Sequence, residues 1–226
     1  MALRQKIFEA NNKGLFDIAV GEGNISPSFA TELQNSRVAL NGEVSKRRGR
    51  TFFNAVAIEH AAGNTIDTYA SSNQSGSVSQ YLGNNEQVGF SITLASGHSI
   101  QSVKFWMKKL GSPTGLMQAK IFASTGTVGT SGLPTGTVLQ SSLYSDSESL
   151  TTSFALVEFT FEEPYVAAAG DICILLEYKK GDSSNNVIVG TDSSSPTHGS
   201  NVFKTNTANS SWSADTSQDL IFSLFK

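Results

Sequence analysis

Apolar and polar residues alternate in short runs over most of the chain. In SVKFWMKKL, residues 102–110, Val103, Phe105 and Met107 alternate with Lys104, Trp106 and Lys108. In FALVEFTFEEP, residues 154–164, Ala155, Val157, Phe159 and Phe161 alternate with Leu156, Glu158 and Thr160. A period of two places successive side chains on opposite faces of an extended chain, so each run predicts a strand with one buried face. Further runs of strand length lie at 88–94, 117–124, 137–142, 171–178, 186–190, 201–205 and 220–225. Gly, Pro, Asn and Ser punctuate them, and no amphipathic helical pattern stands between them. The expected fold is all-β, an antiparallel jelly-roll-like β-sandwich.

Two pentapeptides, GSPTG at 111–115 and GLPTG at 132–136, read as turns, because Pro presets its φ and Gly accepts a positive one. Their flanks do not match, so they mark similar turn chemistry and no repeat. The first 63 residues follow a different pattern. ISPSFATELQNSRV suggests a short helix capped by Ser26 with Pro27 at its first position, and SRVALNGEVSKRRG suggests a hairpin about Asn41-Gly42. A segment of this size buries too little apolar surface to offset its ordering entropy, so an extended arm that orders against a neighbour is expected.

Composition sharpens this division. Charged residues are only 15% of the 226, below the ~25% of an average domain, which favours strands and turns over surface helices. Residues 1–63 hold eight Lys/Arg against six acids, a net +2, while residues 64–226 hold eight Lys against thirteen acids, a net −5. Ser and Thr number 6 in the first segment and 46 in the second, so the boundary is placed at 63/64, within AAGNTID. The sequence has no run of ~18 apolar residues that would span a membrane, and its opening MALRQKIFEANNKGLFD lacks the apolar stretch of an export signal. Neither a membrane nor a cofactor is expected.

The candidate chemistry is sparse. His60, His98 and His198 are dispersed, and no metal-ligand spacing, nucleophile elbow or phosphate loop accompanies them. The adjacent acids Glu162 and Glu163 would point to opposite faces of a strand, which a paired-carboxylate hydrolase does not tolerate. Cys173, the single cysteine, lies within the apolar run DICILLEY and reads as a small buried thiol. No enzyme is expected. A glycan site has more to offer: the loops GTDSSSPTHGSN and NSSWSADTSQD hold Asp192, His198, Asn201, Trp212 and Asp215, which could pair an aromatic platform with polar groups if they converge. The same residues are also ordinary turn formers, and Trp212 could instead cap the core. Asp182, Asp192 and Asp215 could offer oxygens to calcium, but no loop pattern fixes a ligand set, so no metal is assigned.

The densest charge feature is the cation cluster in NGEVSKRRGRTFF. Nucleic-acid binding would call for a broad basic surface, and the protein is otherwise acidic, so nucleic acid is not an expected partner. A basic hairpin can instead engage carboxylates of a neighbouring subunit through Arg forks while aromatic side chains fill an apolar pocket.

The second segment, from NTIDTYASSNQSG through GFSITLASGHSIQSVKFWMKKLGSPTGLMQAKIFAS, LTTSFALVEFTF and GDSSNNVIVGTDSSSPTHGSNVFK to SWSADTSQDLIFSLF, resembles β-sandwich modules of bacteriophage virion proteins and, more loosely, of bacterial surface proteins. NSRVALNGEVSKRRGRTFFN is similar to N-terminal stretches of phage tail and neck proteins, in which an Asn-x-Arg strand, a turn Gly and a basic Lys-Arg-x-Gly follow one another. The resemblance implies a non-enzymatic virion structural protein, made in the bacterial host cytoplasm. Its arm would dock on other virion proteins, and copies of the chain would assemble in the particle at a tail, neck or head-appendage site. Arg37, Lys46, Arg47, Arg48, Arg50, Phe52 and Phe53 are the expected docking residues. The alternative is a module that recognises a host-surface glycan.

Overall fold

The computed structural model describes residues 65–207 and 211–226, together with the backbone pairing of two short segments, β1 (Lys46–Arg47) and β2 (Arg50–Thr51). β1 and β2 pair antiparallel with Arg47 opposite Arg50, so a strand pair forms inside the basic cluster. The expected helix from Ser26 and the turn at Asn41-Gly42 lie outside the described residues, as do Arg37, Arg48, Phe52 and Phe53. The chain divides into two compact units, Met1–Glu59 and His60–Lys226.

The second unit is built of antiparallel strands, with two single-turn 3-10 segments and no α-helix among the described residues. Its strands are β3 (Thr65–Tyr69), β4 (Gly76–Gln80), β5 (Gln87–Leu94), β6 (His98–Leu110), β7 (Leu116–Thr125), β8 (Leu133–Ser141), β9 (Ser145–Asp146), β10 (Ala155–Ala167), β11 (Gly170–Tyr178), β12 (Asn186–Asp192), β13 (Asn201–Thr205), β14 (Ser213–Asp215), β15 (Asp219–Leu220) and β16 (Phe222–Phe225). One sheet runs β15-β12-β6-β16-β3, with β10 on β6 and β4 on β12; the other runs β14-β13-β5-β11-β7-β8, with β9 on β7. The two sheets form the expected β-sandwich.

The core lies between them, and the alternating residues supply it. Val103, Phe105 and Met107 of β6 and Phe159 and Phe161 of β10 face inward from the first sheet; Val88, Phe90 and Ile92 of β5, Ile121 of β7 and Ile174 and Leu176 of β11 face them from the second. Phe rings tie the two layers. Phe90 stacks on Phe222 at 3.8 Å between centroids, Phe105 meets Phe90 edge-on at 6.2 Å, and Phe159 meets Phe105 at 5.9 Å.

GLPTG at 132–136 is not a turn: apart from Gly132 it opens β8, whose first residues pair with Thr125, Ser124 and Ala123 of β7. Pro134 is tolerated because β8 is an edge strand, where a missing N–H breaks no inner ladder. GSPTG at 111–115 does connect β6 to β7, with Gly111 and Gly115 at positive φ.

Truncating Phe222 to Ala should remove about 3–5 kcal/mol of stability, read from urea unfolding. Leu156→Ser, at a side chain 45% exposed on the outer face of β10, should stay within about 0.5 kcal/mol of the parent.

Candidate functional site

The second sheet is apolar on both faces at its centre. On its outer face the register aligns three rows across β13, β5, β11 and β7: Asn201, Ser91, Cys173 and Phe122; then Phe203, Gly89, Leu175 and Lys120; then Thr205, Gln87, Glu177 and Gln118. Phe122, Cys173, Leu175 and Phe203 form a buried cluster separate from the main core, covered by Leu133 of β8 and by Trp212 just ahead of β14. Gly89 has no alternative in its row, since a Cβ there would sit 2.7 Å from Leu175 Cα and Cβ. Burial pushes the Cys173 thiol up to about 12, so it remains an unreactive apolar filler.

Trp212 reaches over the sheet and touches both ends of this cluster. Its ring lies 5.4 Å from Phe203 at 89° and 6.4 Å from Phe122 at 67°. On the far side β8 loses register: Thr135 pairs with Ala123 and Gln140 with Ile121, so residues 136–139 stand opposite the single Phe122. This bulge, with Gly136 at φ +72°, leaves a groove of about 560 Å³ lined by Phe122, Pro134, Thr135, Gly136, Thr137, Val138 and Trp212. The sequence marked Trp212 alone of these seven.

The other four candidates are placed elsewhere or already engaged. Asn201 is fully buried: its Oδ1 accepts from Ser91 Oγ at 2.6 Å and from the N–H groups of Gly129 and Gly132 at 3.1 Å, and its Nδ2 donates to Gly132 O at 2.9 Å. It pins the loop that carries the chain into β8. Asp215 accepts from Lys204 Nζ at 3.1 Å, Ser217 Oγ at 2.6 Å and Gln218 Nε2 at 2.7 Å. Burial opposes its charge, yet these donors hold its carboxyl well below the usual range. Asp192 is buried at the end of β12, where it accepts from the Tyr69 hydroxyl at 2.7 Å, Ser75 Oγ at 2.8 Å and the N–H groups of Ser194 and Ser195 at 3.0 and 3.2 Å. The Tyr69 hydroxyl leads these donors in holding Asp192 well below the usual range.

His198 lines a different, smaller cleft of about 280 Å³ with Asp67, Ile92, Thr93, Val128, Gly199 and Ser200. Its Nε2 faces Asp67 Oδ2 at 3.3 Å, and its Nδ1 lies 2.9 Å from Ser200 Oγ. A hydroxyl, an imidazole and a carboxylate in sequence suggest a nucleophilic triad, but the geometry does not serve one. Nδ1 also faces the N–H of Ser200 at 3.2 Å, and Ser200 is only 5% exposed, so the hydroxyl is not presented to a substrate. The three instead close a loop over the β12–β15 end of the sheet, where Asp219 accepts the His198 backbone N–H at 2.8 Å. Among the described residues, no group of three or more His, Cys, Asp or Glu could hold a metal ion, and no helix is long and apolar enough to cross a membrane.

No protein-family model matches the chain, and no curated protein matches it. A structure with some likeness is that of the cysteine protease and lectin-like domains of Cwp84, a surface layer associated protein of Clostridium difficile, with a TM-score of 0.36 and 12% identity. The match covers 62% of this chain and 31% of that one, so this chain spans less than a third of that chain's length. At that level of similarity nothing of its activity carries over.

The two neighbouring carboxylates at the β12–β15 end pull the acid stability in opposite directions. Asp192 has a depressed folded pKa, so its stabilisation is present above the unfolded value of ~3.9 and is lost as pH falls through the folded one. Asp219 is raised, chiefly by burial, so its charge costs stability at neutral pH and protonation relieves that cost on acidification. Asp192→Asn should therefore lower the urea midpoint at pH 7 and flatten the decline below about pH 4, whereas Asp219→Asn should leave that decline as steep or steeper.

Proposed function

We propose that the chain is a non-enzymatic structural protein of a phage particle, whose first unit docks on a virion neighbour at a tail, neck or head-appendage site and whose sandwich faces outward. The observation that carries this reading is the division of the chain at 59/60 into a short cationic unit and a sandwich that covers its own apolar faces. On this reading the sandwich, whose buried clusters among the described residues come from its own residues, holds its core by itself, and the first 59 residues serve a partner. Pairing of Lys46–Arg47 with Arg50–Thr51 sets a short strand pair in the most cationic stretch of the chain, a suitable element for carboxylates on a neighbouring subunit. Several copies in one particle would repeat that contact. Expressed alone, residues 60–226 should fold with a cooperative unfolding transition yet be missing from purified particles. Recovery of the truncated chain in particles at the parental stoichiometry would remove the docking role.

The second reading, recognition of a host-surface glycan, is favoured by the groove beside Trp212, which combines aromatic surface with hydroxyl groups. On a glycan array, binding by the full chain should disappear in Trp212→Ala and persist in Trp106→Phe, a change on the outer face of the opposite sheet.

A further inference from the structure

Among the described residues, the groove carries no charged side chain in its lining. Phe122, Pro134, Val138 and Trp212 give it apolar surface, and Thr135 and Thr137, both exposed, give it hydroxyls on the β8 side. The cation nearest in register on the same face is already engaged, since Lys120 contacts Glu177 at 2.8 Å, while Lys204, which alternates to the other face, contacts Asp215 at 3.1 Å. A ligand carboxylate or ammonium seated here would lose water with no counter-charge in the lining, which is costly. A purely apolar ligand would strip water from the threonine hydroxyls without replacing it.

Resting on the glycan reading, we propose that the groove selects neutral sugars, seating uncharged hexose units of an oligosaccharide between Trp212 and the β8 bulge. A neutral hexose matches both halves of the lining. Its C–H-bearing face covers the half-buried Trp212 ring, beneath which Phe122 is already covered, and its hydroxyls exchange hydrogen bonds with Thr135 and Thr137. A volume of about 560 Å³ lies within the range of ~300–1,000 Å³ typical of small-molecule sites and accommodates a short oligosaccharide segment. The bulge is the selecting element, because residues 136–139 stand clear of the ladder only where the register between β7 and β8 slips beside Phe122. Gly136 at φ +72° has no atom within 4 Å of a Cβ position, so its backbone conformation, rather than crowding, demands glycine there.

The test titrates the full-length protein by calorimetry and saturation-transfer NMR with two sets of probes: neutral gluco-, galacto- and manno-trisaccharides, and the acidic sialyllactose and trigalacturonate. The expected result is binding of at least one neutral trisaccharide with an affinity insensitive to salt. That affinity should weaken by about tenfold in Trp212→Ala and by a few-fold in Thr137→Val. Thr137→Val changes an exposed hydroxyl to a methyl, so it decides the matter even if Trp212→Ala compromises folding. Trp212-dependent, salt-sensitive binding of the acidic sugars in place of the neutral ones would overturn the neutral class while leaving glycan recognition intact. Neutral binding untouched by both substitutions would move the site off the groove and also overturn the proposal. Binding of no sugar in either set would bring down the recognition reading itself, and this inference with it.

Discussion

A sheet that is apolar on both faces needs two covers, and that requirement shapes the second unit. β11 is buried from Ile172 to Tyr178 without interruption, so Ile174 and Leu176 face one way into the sandwich while Cys173 and Leu175 face outward. The inner cover is the first sheet, locked through the Phe90–Phe222 stack. Among the described residues the outer cover is not a third sheet, because their long strands all belong to the first two. It is made by two short flaps instead, the start of β8 with Leu133 and the approach to β14 with Trp212.

The polar residues are arranged to hold those flaps. Gly132 sits where a Cβ would clash with Ser91 Oγ, and Asn201 clasps its backbone from both sides, so the chain enters β8 at a fixed height over the sheet. Lys204 and Asp215 bind across the β13–β14 pair and fix the other flap. Glu177 closes the far end of the face. Burial pushes its pKa up, but Lys120 and Lys179 offset this and keep it below the ordinary value. Two flaps anchored from opposite edges do not meet over Phe122, where β8 slips register, and the groove is the gap that remains. The candidate site is thus a consequence of the covering problem.

What could be read from the sequence follows from which interactions are local. Each of the nine runs read from the sequence falls on strand, with β8 beginning four residues earlier than its apolar run and the last run broken into β15 and β16 at Ile221. β3 and β4 carry only a weak signal, since TIDTY and GSVSQ are short and half polar, and their burial comes from β16 and β12 far along the chain. DICILLEY, apolar without alternation, reads in the sequence only as a strand with a buried thiol, and its burial on both faces is seen in the structure. The site was less legible. Asp192 and Asn201 resemble ligand-binding loop residues in one dimension, yet their hydrogen bonds go to Tyr69, Ser75, Ser91 and Gly132, which no local spacing connects to them. Phe122 and Trp212 lie ninety positions apart, and the register slip that opens the space between them has no sequence signature beyond a glycine and two threonines.

The two outer faces of the sandwich also treat their tryptophans differently, and the contrast bears on the proposed glycan reading. On the first sheet Trp106 lies almost parallel to Phe154, 6.1 Å away at 9°, and Lys108 Nζ sits 4.7 Å from the centre of that phenylalanine ring. Lys104 similarly lies over Phe225 at 5.0 Å. Aromatic surface there is closed by rings and by the chain's own cations, which leaves little ring face for a ligand to gain. Trp212 meets its neighbours at steep angles, so among the described residues no ring lies flat upon it, and its lining carries hydroxyls where the other face carries ammonium groups. A ligand that stacked would have to displace an existing flat ring partner at Trp106 and none among the described residues at Trp212, a difference in cost that favours the second sheet for the proposed glycan reading.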